Sequence, residues 1–261
     1  MHARTGTAVL LAAITLAPLM VAAAETPATN PLLLKPVAQV TPDEVRFMQQ
    51  RLADWPQLQR YRAENAALPA PVGGAPRVVF YGDSITEGWG ATGRPGFFPG
   101  KGYLNRGISG QTTAQMLLRF QQDVIALHPA VVVILAGTND IAGNTGPSTQ
   151  GMIEDNLHAM VDLARAHGIA VVLSSVLPVS EYPWQPGVQP AGKVKALNAA
   201  LHAYARERKL VWLDYYAALA NAKGGLDPAL AADGVHPTAE GYARMARLAQ
   251  AAVERALEPR R

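Results

Sequence analysis

The stretch AVVVIL, residues 130–135, holds six apolar residues without a polar break and runs directly into AGTND, residues 136–140. A strand with one wet face would alternate in polarity. An unbroken, β-branched run bounded by turn residues reads instead as a strand covered on both faces, as in parallel sheets. Shorter apolar stretches at residues 77–81, 103–106, 170–174 and 210–213 read as further strands. Helical spacing of apolar residues separates them, over residues 112–127, 150–167, 190–208 and 238–257. Strands alternating with helices in this way predict an α/β fold, a parallel sheet with helices on both faces.

Upstream, residues 1–24 carry Arg4, an apolar run over residues 8–21 and the small residues Ala22-Ala23-Ala24. That is the pattern of a secretory signal peptide, and the run is short for a membrane span. The expectation is an exported chain, periplasmic or secreted, with no stable membrane anchor once the leader is removed. Residues 25–75 read as linker and N-terminal helical arm, and residues 76–261 as the α/β domain. Within the arm, residues 25–40 are Pro- and Ala-rich and read as a loose linker. Thr41-Pro42-Asp43-Glu44 then forms a capping box with proline at the first helical position. Phe47, Met48, Leu52, Leu58 and Tyr61 recur at helical spacing, so the arm is expected to pack on the domain.

The 261 residues include no cysteine, which excludes disulfide scaffolds, Cys-ligated metals and thiol nucleophiles. Against 20 Asp and Glu stand 23 Lys and Arg, an excess too small to mark a nucleic-acid binder. The histidines form no H-x-x-x-H or other ligand cluster, so no metal is expected. No G-x-G-x-x-G or Walker loop follows the first strand, and no cofactor is expected.

In open α/β sheets, ligands bind at the carboxyl ends of the strands. The segments there are Gly82-Asp83-Ser84-Ile85-Thr86-Glu87, Asn105–Thr112 and Gly137-Thr138-Asn139-Asp140, with Asp233-Gly234-Val235-His236-Pro237 before the last helix. They bring a hydroxyl, an imidazole, carboxylates and amide donors to one edge. That set suffices for nucleophilic acyl transfer: a base must take the serine proton, a carboxylate must orient the imidazole, and N–H groups must meet the oxyanion. Taken singly, each segment has a plainer reading. Ser84-Ile85-Thr86-Glu87 fits a capping box as well as a nucleophile turn, Asp233-Gly234 is an ordinary turn dipeptide, and GTND is an ordinary strand-to-helix loop.

GDSIT at residues 82–86, Gly110, GTND at residues 137–140 and DGVHP at residues 233–237 stand in the order of the SGNH (GDSL) hydrolase superfamily, which the chain resembles from about residue 77 onward. Its downstream text looks most like secreted bacterial esterases of the acetylhydrolase-like branch. The resemblance implies a flavodoxin-like three-layer sandwich on a five-stranded parallel sheet. It implies Ser84 as nucleophile, His236 as base and acid, and Asp233 as its carboxylate. It also implies an oxyanion hole from the N–H groups of Ser84 and Gly110 and the amide of Asn139. The chain reads GDSI where the family name has GDSL.

The expected function is therefore a serine esterase acting on carboxylic esters with short acyl groups, among them acetyl esters of glycans or lysolipids. Two other readings stand beside it: a non-catalytic glycan- or lipid-binding protein on the same fold, and an O-acyltransferase. The expected partner is a small-molecule or glycan ester. Trp89, Phe97, Phe98, Tyr182 and Trp184 lie in loops at the same edge and are candidates for a substrate wall, with aromatic packing of Pro-rich loops as the alternative.

Overall fold

The computed structural model describes residues 29–71, 76–91, 96–231 and 233–258. The expected signal peptide lies outside these residues. Five strands, β1 Val78–Gly82, β2 Leu104–Gly107, β3 Val131–Leu135, β4 Ala170–Ser174 and β5 Val211–Leu213, form one sheet in the order β2-β1-β3-β4-β5. Every pairing is parallel. This is the flavodoxin-like order, which reverses direction between β1 and β3 and opens a crevice at their carboxyl ends.

The two-residue period of a strand divides the apolar runs between two layers. Val79, Tyr81, Val132 and Ile134 face the helices Thr113–Asp123, Gln150–Ala166 and Pro190–Glu207. Val78, Phe80, Val131 and Val133 face Tyr215–Leu219 and Ala239–Leu257. Both faces are covered, which is why β3 needs no polar residue. β1 starts and ends one residue later than its expected span. The helix expected over residues 112–127 stops at Asp123 and yields to a 3-10 turn, Ile125–Leu127. His128 ends that turn in the left-handed conformation, with φ 50°.

In the arm, Thr41 and Glu44 close the expected capping box ahead of the helix Pro42–Ala53. Asp54 ends that helix by accepting the N–H groups of Leu58 and Gln59 at 2.8 and 2.9 Å, and Arg62–Ala67 follows. The described part of the expected loose linker is ordered. Pro31–Leu34 is a one-turn helix capped by Asn30, and Val37–Gln39 is a 3-10 turn. Tertiary partners make the difference: Asn30 donates to the Asn144 carbonyl at 3.3 Å and Gln185 to the Thr29 carbonyl at 2.6 Å.

Side-chain amides stitch the arm to the domain. Gln111, Gln115 and Gln122 donate to the carbonyls of Pro56, Trp55 and Leu58 at 2.9, 2.6 and 2.7 Å. Tyr61 is buried, its hydroxyl on the Gly107 carbonyl and its ring beneath the Arg60 and Arg106 guanidinium groups. Among the described residues no helix is long and apolar enough to cross a membrane.

Candidate active site

Ser84 is the first residue of a one-turn helix, Ser84–Glu87, that begins where β1 ends. The capping box read in residues 84–87 does not form. Asp83 is the N-cap instead, accepting the Ile85 N–H at 2.9 Å. Glu87 is drawn outward to the Ser109 N–H at 2.8 Å and to Arg60 at 3.1 Å. The Ser84 hydroxyl is thereby left free for another partner. It lies 2.9 Å from His236 Nε2. β2 must pass close beside this turn, and Gly107 permits it, because a Cβ there would run into the Glu87 backbone.

Asp233 does two jobs in its loop. Its Oδ1 accepts the N–H groups of Val235 and His236 at 2.9 and 2.7 Å, folding residues 233–236 into a turn. Its Oδ2 stands 2.7 Å from His236 Nδ1, so Nε2 points at the serine. Partial burial pushes the Asp233 carboxyl up, but the N–H groups and ring of His236 outweigh it and hold the group below its ordinary range. An ionised carboxylate therefore faces the ring.

Asn139 and Gly110 border the same crevice. Asn139 is buried in the one-turn helix Thr138–Ile141 after β3. Its Oδ1 accepts from Asn144 at 2.8 Å, which fixes the orientation of the amide. Its Nδ2 then donates to the Gln111 carbonyl at 3.0 Å and, at a longer 3.3 Å, to Asp83. Gly110 has φ 75°, a conformation that glycine adopts freely, and its carbonyl accepts from Asn144 at 3.3 Å. Asn144 thus ties both positions together, and its Oδ1 accepts the Trp184 indole N–H at 2.9 Å. Sequence reading missed Asn144; it lies beyond the GTND motif, and nothing in its spacing signals its reach.

Two further carboxyls lie buried under the site. Burial raises Asp83 to about 6, against the pull of the Ile85 N–H. Burial likewise raises Asp140 to about 6, against three hydrogen bonds from Thr113. A folded-state value above the unfolded one means that the unfolded chain gives up its proton first as pH rises. Stability from such a group falls between about pH 4 and 6. Asp140→Asn should therefore gain on wild type, by up to about 3 kcal/mol, as pH goes from 4 to 7. Urea denaturation of both proteins at the two pH values checks this; a constant difference contradicts it.

The aromatic wall is mostly elsewhere. Trp89 and Phe98 are buried, and with half-buried Phe97 they pack around Phe80, Tyr103 and Tyr242 on one face of the sheet. Tyr182 is fully buried, its hydroxyl 3.0 Å from Thr138. Trp184 alone of the five reaches the crevice, 40 % exposed, with its ring 6.4 Å from that of His236. A Pro-rich loop places its aromatic side chains wherever apolar surface is nearest, and for four of these that is the core.

The chain matches the model of the GDSL-like Lipase/Acylhydrolase family over residues 80–244. A GDSL-like lipase from Bacteroides thetaiotaomicron is 48 % identical in sequence, with a TM-score of 0.75 over 78 % of this chain and 100 % of that one. The esterase TesA of Pseudomonas aeruginosa is 29 % identical over 54 % of this chain and 64 % of its own length. A Bacillus subtilis lipoprotein, YqeF, is 40 % identical over 30 % of this chain. The chain spans about a third of YqeF and just under two thirds of TesA.

Proposed function

Because the chain belongs to the GDSL-like lipase/acylhydrolase family, we propose that it hydrolyses carboxylic esters through an acyl-enzyme on Ser84. The observation that carries this reading is the continuous chain of contacts from Ser84 Oγ through both ring nitrogens of His236 to Asp233, at 2.9 and 2.7 Å. Oγ attacks the ester carbonyl carbon while its proton passes to Nε2. The cation that forms on the ring is stabilised by ionised Asp233. Collapse breaks the carbonyl–alkoxy bond, and His236 returns the proton to the departing alcohol. Water then repeats the sequence on the acyl-enzyme and frees the acid.

The charge on the carbonyl oxygen needs donors. Ser84 heads its helix, so its N–H has no place in the helical ladder, and Gly110 supplies a second N–H. Asn139 supplies the third by exchanging its longer contact, to Asp83, for the oxyanion. Asn139→Ala is expected to lower kcat about 10²–10³-fold with little change in KM, measured on p-nitrophenyl esters. A KM effect alone would assign Asn139 to ground-state binding. The leader pattern of residues 1–24 and the likeness to a lipoprotein support export, and so an ester met outside the cytoplasm. Labelling with a fluorophosphonate followed by peptide mass spectrometry tests the nucleophile: the adduct is expected on Ser84, and an adduct elsewhere overturns the assignment.

A further inference from the structure

The family match begins at residue 80, yet a cavity of about 390 Å³ beside the crevice is walled largely by earlier residues. Leu32, Phe47, Met48 and Trp55 of the arm line it together with Gly110 and Trp184. We propose that the arm builds the acyl pocket of this enzyme, so that its preferred substrates are esters of apolar carboxylic acids larger than acetic acid. The proposal rests on the reading of Ser84 as nucleophile.

Continuity with the site comes first. Gly110 and Trp184 belong at once to the cavity wall and to the surroundings of Asn139 and His236. Ser84, Asp233 and His236 do not line the cavity. The leaving alcohol must face Nε2, which gives it a proton, so the acyl group extends to the other side. Gly110, assigned above as an oxyanion donor, lines the cavity.

The chemistry of the wall selects the occupant. The amide and hydroxyl side chains on it are already engaged within the protein. Asn30 holds the Leu32 N–H and the Asn144 carbonyl. Gln115 holds the Trp55 carbonyl and the Thr112 N–H. Asn144 bridges Gly110, Asn139 and Trp184, and the Thr145 hydroxyl lies 3.1 Å from that of Thr112. Arg51, the one charged lining residue, stacks over the Phe47 ring at 5.2 Å. What remains for a ligand is mainly apolar surface, with the Arg51 guanidinium, which comes close to Gly110, as the one charged group on it. Leu33, Phe47 and Leu52 are 55, 46 and 77 % exposed, so the apolar lining continues out of the cavity. A short aliphatic chain gains about fourfold in affinity for each methylene it buries in such a place. Acetyl leaves the gain unused.

The test compares kcat/KM for p-nitrophenyl octanoate and acetate. Wild type is expected to favour octanoate at least tenfold. Met48→Trp and Leu32→Trp, which fill the cavity from two separate segments of the arm, should each lower that ratio at least tenfold, with folding checked by thermal melts. An octanoate-to-acetate ratio of one or less in wild type, or a ratio unmoved in both variants, overturns the proposal. Calorimetry with octanoate on Ser84→Ala protein reads the pocket without chemistry. Saturable binding there that Met48→Trp abolishes supports the pocket even if ester hydrolysis persists in Ser84→Ala, an outcome that would sink the nucleophile assignment alone. No binding counts against the pocket whatever Ser84 does.

Discussion

Ser84→Ala should lose at least about 10⁴-fold in kcat on p-nitrophenyl acetate while its melting temperature barely moves. The two halves of that expectation have separate causes. Asp83 rather than Ser84 caps the one-turn helix, so removing Oγ takes nothing from the local fold. The hydroxyl's partner is the His236 ring. Without Oγ there is no atom to carry the acyl group, and hydrolysis falls back to water attack helped by the oxyanion donors. His236→Ala should cost about as much, and the double variant little more, because both residues serve one step. Stopped-flow traces at high enzyme concentration check the assignment: wild type releases a burst of p-nitrophenol if deacylation is slow, and Ser84→Ala releases none. Turnover within tenfold of wild type in Ser84→Ala would reject the mechanism.

The second large effect concerns stability. Arg119 is completely buried in the helix Thr113–Asp123. Its guanidinium donates to the Gly82 and Arg106 carbonyls, both at 2.9 Å, and pairs with buried Asp123 at 3.1 Å. Its Nε donates to Gln111, and its plane lies 4.2 Å over the Tyr81 ring. One side chain thus clamps the carboxyl ends of β1 and β2, where Ser84 and Gly110 emerge. Arg119→Met would leave Asp123 without its cation and two carbonyls without a donor, at a cost of about 3–5 kcal/mol. For a chain of this size that lowers the melting temperature by roughly 6–20 °C. Adding Asp123→Asn should recover part of the loss, since the lone buried charge is then gone. Calorimetric scans of the three variants decide it. A shift under 2 °C in Arg119→Met would mean that the clamp contributes nothing net.

Legibility in the sequence followed the range of the forces involved. β3 was readable because burial on both faces leaves a signature in six consecutive residues. The edge of the sheet followed from topology, and with it the convergence of Ser84, Asn139 and His236 on one crevice. Arg119 and Asn144 were not readable. A buried arginine inside a helix has the same spacing as an exposed one, and only tertiary contact tells them apart. The arm was legible as helix from its capping box, but not as a wall of the cavity beside the crevice. The polar stitches that place it, from Gln111, Gln115 and Gln122, come from chain segments more than fifty residues away. The aromatic loops misled for a related reason. Composition says that Trp89 and Phe98 want apolar surroundings, not whose.

Ser84 and His236 stand 152 residues apart in sequence, on opposite sides of most of the domain's assembly. Neither is of use alone, and neither meets the other until β1 has found its neighbours and the last loop has closed over the finished sheet. On the proposed mechanism, a chain trapped half-formed is chemically silent, and hydrolysis therefore serves as its own certificate of completed folding.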